Sequence, residues 1–238
     1  MAGIAASLER QRREAVERAA DLAHEFKNPL AAIAAAAEHL STTRELSPEK
    51  RQMLSDVSAS AAQRLLSTTE ALLSLARLEA ALPQEPRSRV DYGEFLERLL
   101  DGYRKDVRWE GFELWLTVAV DAGSVSIVPK AWQQLLRNLL DNALVQPSQT
   151  RRVEVDVTAG SGAVVTRVKD HGPGVSAGNR DKIFRRFFTD RPPGAPAGTG
   201  LGLSIVQAVA EAHGATVELA SEAGPGATFV VTLPRAGD

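Results

Sequence analysis

The chain contains no cysteine. Disulfides and thiolate metal sites are therefore excluded, and the composition suits a reducing compartment. No apolar run approaches the ~18 residues of a membrane span, and no signal-peptide pattern opens the chain. Neither sign of charge dominates: 28 basic and 30 acidic residues leave a net charge of −2, which offers no general grip on nucleic acid. Glycine is nearly missing from the first third, where Gly3 alone precedes residue 83 although the chain holds 18. That scarcity excludes a loop-rich fold there and leaves long helices as the natural alternative. No internal repeat is evident.

What is present in that first third is helical periodicity. Leu8, Ala15, Ala19, Leu22, Phe26, Leu30, Ile33, Ala37 and Leu40 form one apolar series, and Leu54, Val57, Ala61, Leu65, Leu72 and Leu75 form a second. Between them Ser47, Pro48 and Glu49 supply an N-cap, a proline at the first helical position and an acid in the first turn. The spacing predicts a hairpin of helices over 4–41 and 48–80. A lone hairpin buries little, so pairing with a second copy into a four-helix bundle is expected. The pattern is helical from the first residues, which points to a helix cut from a longer parent whose membrane or sensor part is absent.

PQEPRS at 83–88 reads as a linker. Beyond it helices are predicted at 91–104, 129–144 and 201–213, with strands near 112–119, 151–158, 163–169, 215–221 and 227–233. The fold class is thus α plus α/β: a dimeric helical hairpin over 1–82, a linker at 83–89, and an α/β sandwich over 90–238.

The first helix carries HEFKNP at 24–29. On a helix turning about 100° per residue, Leu22, Phe26, Leu30, Ile33 and Ala37 share one stripe. His24 falls on the far side, toward water, with Asn28 beside it one turn on. Glu25 lies between His24 and the core, and Pro29 removes the helical partner of the Glu25 carbonyl. A largely neutral imidazole can attack phosphorus through one ring nitrogen while an acid orients the other. The same residues also serve as an ordinary polar surface.

In the second part, NLLDNA (138–143) stacks Asn138 and Asn142 at i and i+4 along the edge of an apolar helix face. Amide oxygens there suit a phosphate-bound Mg²⁺, or simply a helix surface. VKDHGPGV (168–175) ends a strand with Asp170, which can accept from an exocyclic amine, while Gly172 and Gly174 permit close backbone approach. GTGLGLSIV (198–206) brings Gly198, Gly200 and Gly202 into a helix whose free N–H groups favour phosphate. It is neither a P-loop nor a Rossmann fingerprint. IFRRFF (183–188) joins aromatics to Arg185 and Arg186.

HEFKNPL followed by AAI resembles the H box of sensor histidine kinases of two-component systems, with a HisKA-type dimerisation domain. The ordered NLLDNA, DHGPG, FRRF and GTGLGL segments resemble the N, G1, F and G2 boxes of that family's catalytic domain. Its fold is the GHKL (Bergerat) type shared with gyrase and MutL. The resemblance implies that His24 accepts phosphate from ATP, Glu25 is the general base, and Asn28 helps hydrolyse the phosphorylated partner. It further implies that Asn142 with Asn138 holds Mg²⁺, Asp170 reads adenine, Arg186 touches the γ-phosphate, and residues 185–200 form a lid. The implied partners are a response regulator receiver domain and a second copy of the chain, in the cytoplasm, with any membrane contact through the missing N-terminal part. Val145 and Gln146 stand where the family has a Lys-Tyr pair, removing one phosphate-facing ammonium. A degenerate kinase used as a scaffold, or another ATPase of the superfamily such as an anti-sigma-factor serine kinase, remains as an alternative. His213, before Gly214 at a helix end, reads as a structural cap; His39 and His171 receive no role.

Overall fold

The computed structural model describes residues 2–43, 46–82, 84–120, 122–146, 148, 150–160, 162–190, 198–220 and 225–235. It leaves the side chains of residues 2–8, 10, 11, 13–15, 17, 18 and 21 outside that description. Two compact units, Met1–Leu73 and Ser74–Asp238, divide the chain.

The first unit is a helical hairpin. Helix α1 (Ala2–Thr42) runs through Pro29 without interruption, and α2 (Pro48–Ala81) begins at the expected proline. The Ser47 hydroxyl accepts from the Lys50 N–H, which is the N-cap bond read from the sequence. Pro29 and Ala36 are buried, whereas Leu30 and Val57, both on the predicted apolar stripes, remain 53% and 43% exposed. The hairpin alone therefore leaves part of each stripe in water.

The second unit carries a five-stranded sheet in the order β2-β4-β5-β7-β6, formed by β2 (Glu113–Val118), β4 (Arg152–Gly160), β5 (Ala163–Asp170), β6 (Thr216–Leu219) and β7 (Thr228–Pro234). The β2–β4 pair is parallel and the others are antiparallel. Helices α3 (Tyr92–Arg104), α4 (Pro129–Val145) and α5 (Gly202–Ala212) pack on the sheet, with α4 also against α5. Alternation separates the faces: Val153, Val155, Val157, Val164 and Val168 are buried, and Arg152, Glu154, Asp156, Arg167 and Lys169 stay half-exposed. Trp132, Leu135, Leu136, Leu139 and Leu140 of α4 are almost wholly buried. Each such side chain contributes about 1.5–3 kcal/mol of transfer free energy.

Two short strands were not foreseen. β1 (Ser88–Asp91) pairs antiparallel with β3 (Ser124–Ile127), so Ser88 and Arg89 of the expected linker belong to a strand. Four residues carry too little alternation to be read locally, and the pairing joins segments about 35 residues apart. His213 is buried and structural: its Nε2 accepts from the Val128 N–H, which leaves Nδ1 to donate to the Val209 carbonyl. Burial holds this imidazole below its ordinary pKa, in keeping with a neutral ring.

Candidate functional site

Asp170 is the last residue of β5 and keeps the parity of Val164, Thr166 and Val168, so its carboxylate turns toward the helical layer. It is 3% exposed. Its Oδ1 accepts from the Gly172 N–H at 2.8 Å and the Ala227 N–H at 3.1 Å. Oδ2 has no hydrogen-bond partner among the described residues. Burial raises the carboxyl's pKa, with the two N–H donors and His171 opposing the shift. The carboxylate is thus held by one oxygen while the other remains available to a ligand's amine. His171 pairs instead with Glu154 of β4 at 2.8 Å.

The glycines around Asp170 serve close approach within the protein. A Cβ on Gly172 would come within 2.8 Å of the Gln146 Cβ, and one on Gly226, which has φ +101°, would overlap the Asp170 carbonyl. Gly174 (φ +75°) meets the Gly226 carbonyl in the same way. At Gly172 and Gly174 the absent side chains thus make room for Gln146 and for the 225–227 turn. That turn was missed by the sequence reading, although its GPG signature at 224–226 was available.

Asn138 donates from Nδ2 to the Gln134 carbonyl at 3.0 Å, and its Oδ1 lies beside Gly202, 3.2 Å from the place of a Cβ. Its oxygen therefore faces the start of α5. Asn142 is half-buried one turn on, and its amide has no recorded partner among the described residues. Two amide oxygens on one helix edge are hard donors of the kind Mg²⁺ accepts. Helix α5 starts at Gly202 with no side-chain cap from Leu201, so its first-turn N–H groups are uncapped. Gly198 and Gly200 are half-buried just ahead of it.

The IFRRFF segment is an anchored aromatic turn. Phe184 stacks edge-on against Phe229 of β7, and the Phe187 N–H donates to the Gly200 carbonyl at 2.9 Å. Phe187 itself has φ +64°, which is strained for a bulky residue. Arg186 is ion-paired with Glu79, near the end of α2 and within the same compact unit. Of the expected lid at 185–200, residues 191–197 lie outside the described ones. Asp170 is thus hydrogen-bonded to Gly172, Asn138 lies against Gly202, and Gly200 is held by Phe187.

In the first unit His24 is exposed on α1 and makes no hydrogen bond or ion pair among the described residues. Asn28, four residues on, is also exposed. Glu25 is half-buried and accepts from Arg64 of α2 at 3.0 Å. No group of three or more His, Asp or Glu suited to a metal ion occurs among the described residues. No helix among them is long and apolar enough to cross a membrane.

Comparison with known proteins gives two family matches. The His Kinase A (phospho-acceptor) domain matches residues 15–81, and the Histidine kinase-, DNA gyrase B-, and HSP90-like ATPase domain matches residues 127–237. Sensor protein ChvG of Rhizobium meliloti is 35% identical over 231 aligned positions, taking in 91% of this chain and 40% of that protein. Sensor histidine kinase ZraS of Escherichia coli is 31% identical, over 91% of this chain and 44% of its own. The chain spans about two fifths of the length of these relatives. Among solved structures, full-length ShkA in complex with AMPPNP is 30% identical with a TM-score of 0.63, over 93% of this chain and 46% of that one.

Proposed function

The chain belongs to the sensor histidine kinases of two-component systems, and we propose that it phosphorylates itself on His24 from ATP and passes the phosphoryl group to an aspartate of a response regulator receiver domain. The observation that carries this reading is the state of His24: an exposed imidazole with no hydrogen bond or ion pair among the described residues, one residue from a carboxylate and one turn from an amide. A lone pair on one ring nitrogen attacks the γ-phosphorus as the bond to the β,γ-bridging oxygen breaks, and ADP leaves with that electron pair. Glu25 takes the hydrogen bond, or the proton, of the other ring nitrogen as positive charge develops there.

ATP binds in the second unit. Its exocyclic amine donates to the free Oδ2 of Asp170, whose Oδ1 is already engaged. The uncapped start of α5 meets the phosphates together with the Gly198–Gly200–Gly202 segment. Asn138 and Asn142 would supply amide oxygens to Mg²⁺, which would neutralise charge on the triphosphate. Arg186 adds a cation for the γ-phosphate once it leaves Glu79. Binding of AMPPNP by ShkA, 30% identical to this chain, supports the nucleotide assignment. Asn28, beside His24, holds the water that hydrolyses the regulator's aspartyl phosphate.

We place the phosphoacceptor and dimerisation functions in residues 1–82 and ATP binding in residues 90–238, with the partly exposed Leu30 and Val57 covered by a second copy. The reading is tested with γ-labelled ATP. Wild-type chain should acquire acid-labile, base-stable phosphate, and His24→Gln should acquire none. Label that survives acid and persists in His24→Gln would replace the histidine by a serine or threonine acceptor.

A further inference from the structure

The Glu25 carboxylate does not rest on the imidazole it is assigned to serve. Its recorded polar partner is the Arg64 guanidinium of α2, with Nη2 and Oε2 3.0 Å apart. His24, one residue before it, carries no hydrogen bond among the described residues. Glu25 is the more enclosed member of the pair and Arg64 the more open, with side chains 22% and 44% exposed. Both lie within the first compact unit, so the contact belongs to the hairpin itself.

Resting on the reading that Glu25 assists attack by His24, we propose that Arg64 is a positioning residue that acts through Glu25: it parks the carboxylate against α2, off the imidazole, so that each phosphorylation begins with exchange of Glu25 from Arg64 to His24. An outward rotamer brings Glu25 to the ring, and an inward one brings it to Arg64, because its position on α1 lies between His24 and the hairpin seam. An ion pair between partly exposed groups is weak and screened by salt. The brake is correspondingly small, about two- to five-fold in rate. A stronger hold would remove the base altogether.

The test is the initial rate of acid-labile labelling of the full chain at saturating ATP, with the Michaelis constant for ATP measured beside it. Arg64→Gln, and Arg64→Met, which keeps the aliphatic stem and a good helix former, should each raise the maximal rate about two- to five-fold. The Michaelis constant should not move, because the nucleotide site is in the other unit. Arg64→Lys, which restores the charge, should return the rate to near that of the wild type. In a Glu25→Gln background the Arg64 substitutions should have no effect, since nothing remains to be released. Equal or lower rates in both Arg64→Gln and Arg64→Met would overturn the proposal, as would an equal acceleration in the Glu25→Gln background. A wild-type chain that acquires no label on His24 would instead overturn the assigned reaction and this inference with it.

Discussion

Replacement of Asp170 by asparagine separates nucleotide recognition from folding, because the structure fixes which way the new amide must face. Oδ1 of Asp170 accepts two backbone N–H groups, from Gly172 and Ala227. An asparagine can keep both bonds only by placing its own oxygen there, which forces its NH₂ into the position of Oδ2. A donor then confronts the donating amine of adenine. The charge-assisted hydrogen bond is lost, worth about 1.5–3 kcal/mol. At about 1.4 kcal/mol per tenfold, ATP affinity falls by one to two orders of magnitude. Folding responds in the opposite direction. Burial raises the Asp170 pKa, so the ionised form costs free energy in the folded protein once pH passes the unfolded value and climbs through the folded one. The amide removes that cost while keeping the two backbone bonds. Calorimetric titration with a non-hydrolysable ATP analogue, together with thermal melting of the nucleotide-free protein, is the assay. The expected pair of results is weak binding with an unchanged or higher melting temperature. Affinity within about twofold of wild type would refute the role of Oδ2; weak binding with a lowered melting temperature would mean that the loop had collapsed.

The same carboxyl predicts a pH effect: wild-type ATP binding should weaken on acidification starting above the ordinary carboxylate range, because a protonated Asp170 no longer accepts the amine, and a titration flat down to that ordinary range would contradict it. Gly226→Ala should lower melting temperature and ATP affinity together, unlike Asp170→Asn, since its Cβ would overlap the Asp170 carbonyl at a backbone angle costing about 1–3 kcal/mol. Val57→Asp should raise the dimer dissociation constant by at least about 100-fold by light scattering, given the several kcal/mol needed to bury an unpaired charge; an unchanged dimer would place Val57 outside the interface. Asn28→Ala should leave labelling of His24 near normal and sharply reduce dephosphorylation of the regulator; the reverse pattern in a paired assay would exchange the roles assigned within HEFKNP.

The helical hairpin was legible because its signals are local. The Ser47-Pro48 start and the absence of glycine after Gly3 each act within a turn or two, and α1 and α2 fall within about two residues of expectation. The long strands were equally open to reading, since β4 alternates valine with charged residues over Arg152–Val157 and β5 is rich in β-branched residues, with Val164, Val165, Thr166 and Val168. The β1–β3 pair escaped because its stability comes from partners far apart in sequence, with Val90 facing Val125 across the register.

At the site, residue types were legible and relationships were not. Asp170 could be placed at a strand end, yet its phase with Val164, Thr166 and Val168, which turns it inward, matters only once that face is known to be covered by helices. The demand for glycine at 172, 174 and 226 depends on three segments converging from residues 146, 170–174 and 225–227, a geometry no single window contains. Gln146 illustrates the consequence. In sequence it marks the loss of a tyrosine; in the structure its stem fills the space that Gly172 leaves and so braces the loop that holds Asp170. The departure from the family pattern thus supplies a packing contact beside the loop that holds Asp170. Similarly, Glu25 and Arg186 were each read as groups facing substrate, and each is held by a protein counter-ion, Arg64 and Glu79. Those partners come from elsewhere in the chain, so a motif can name the reacting groups without revealing what restrains them.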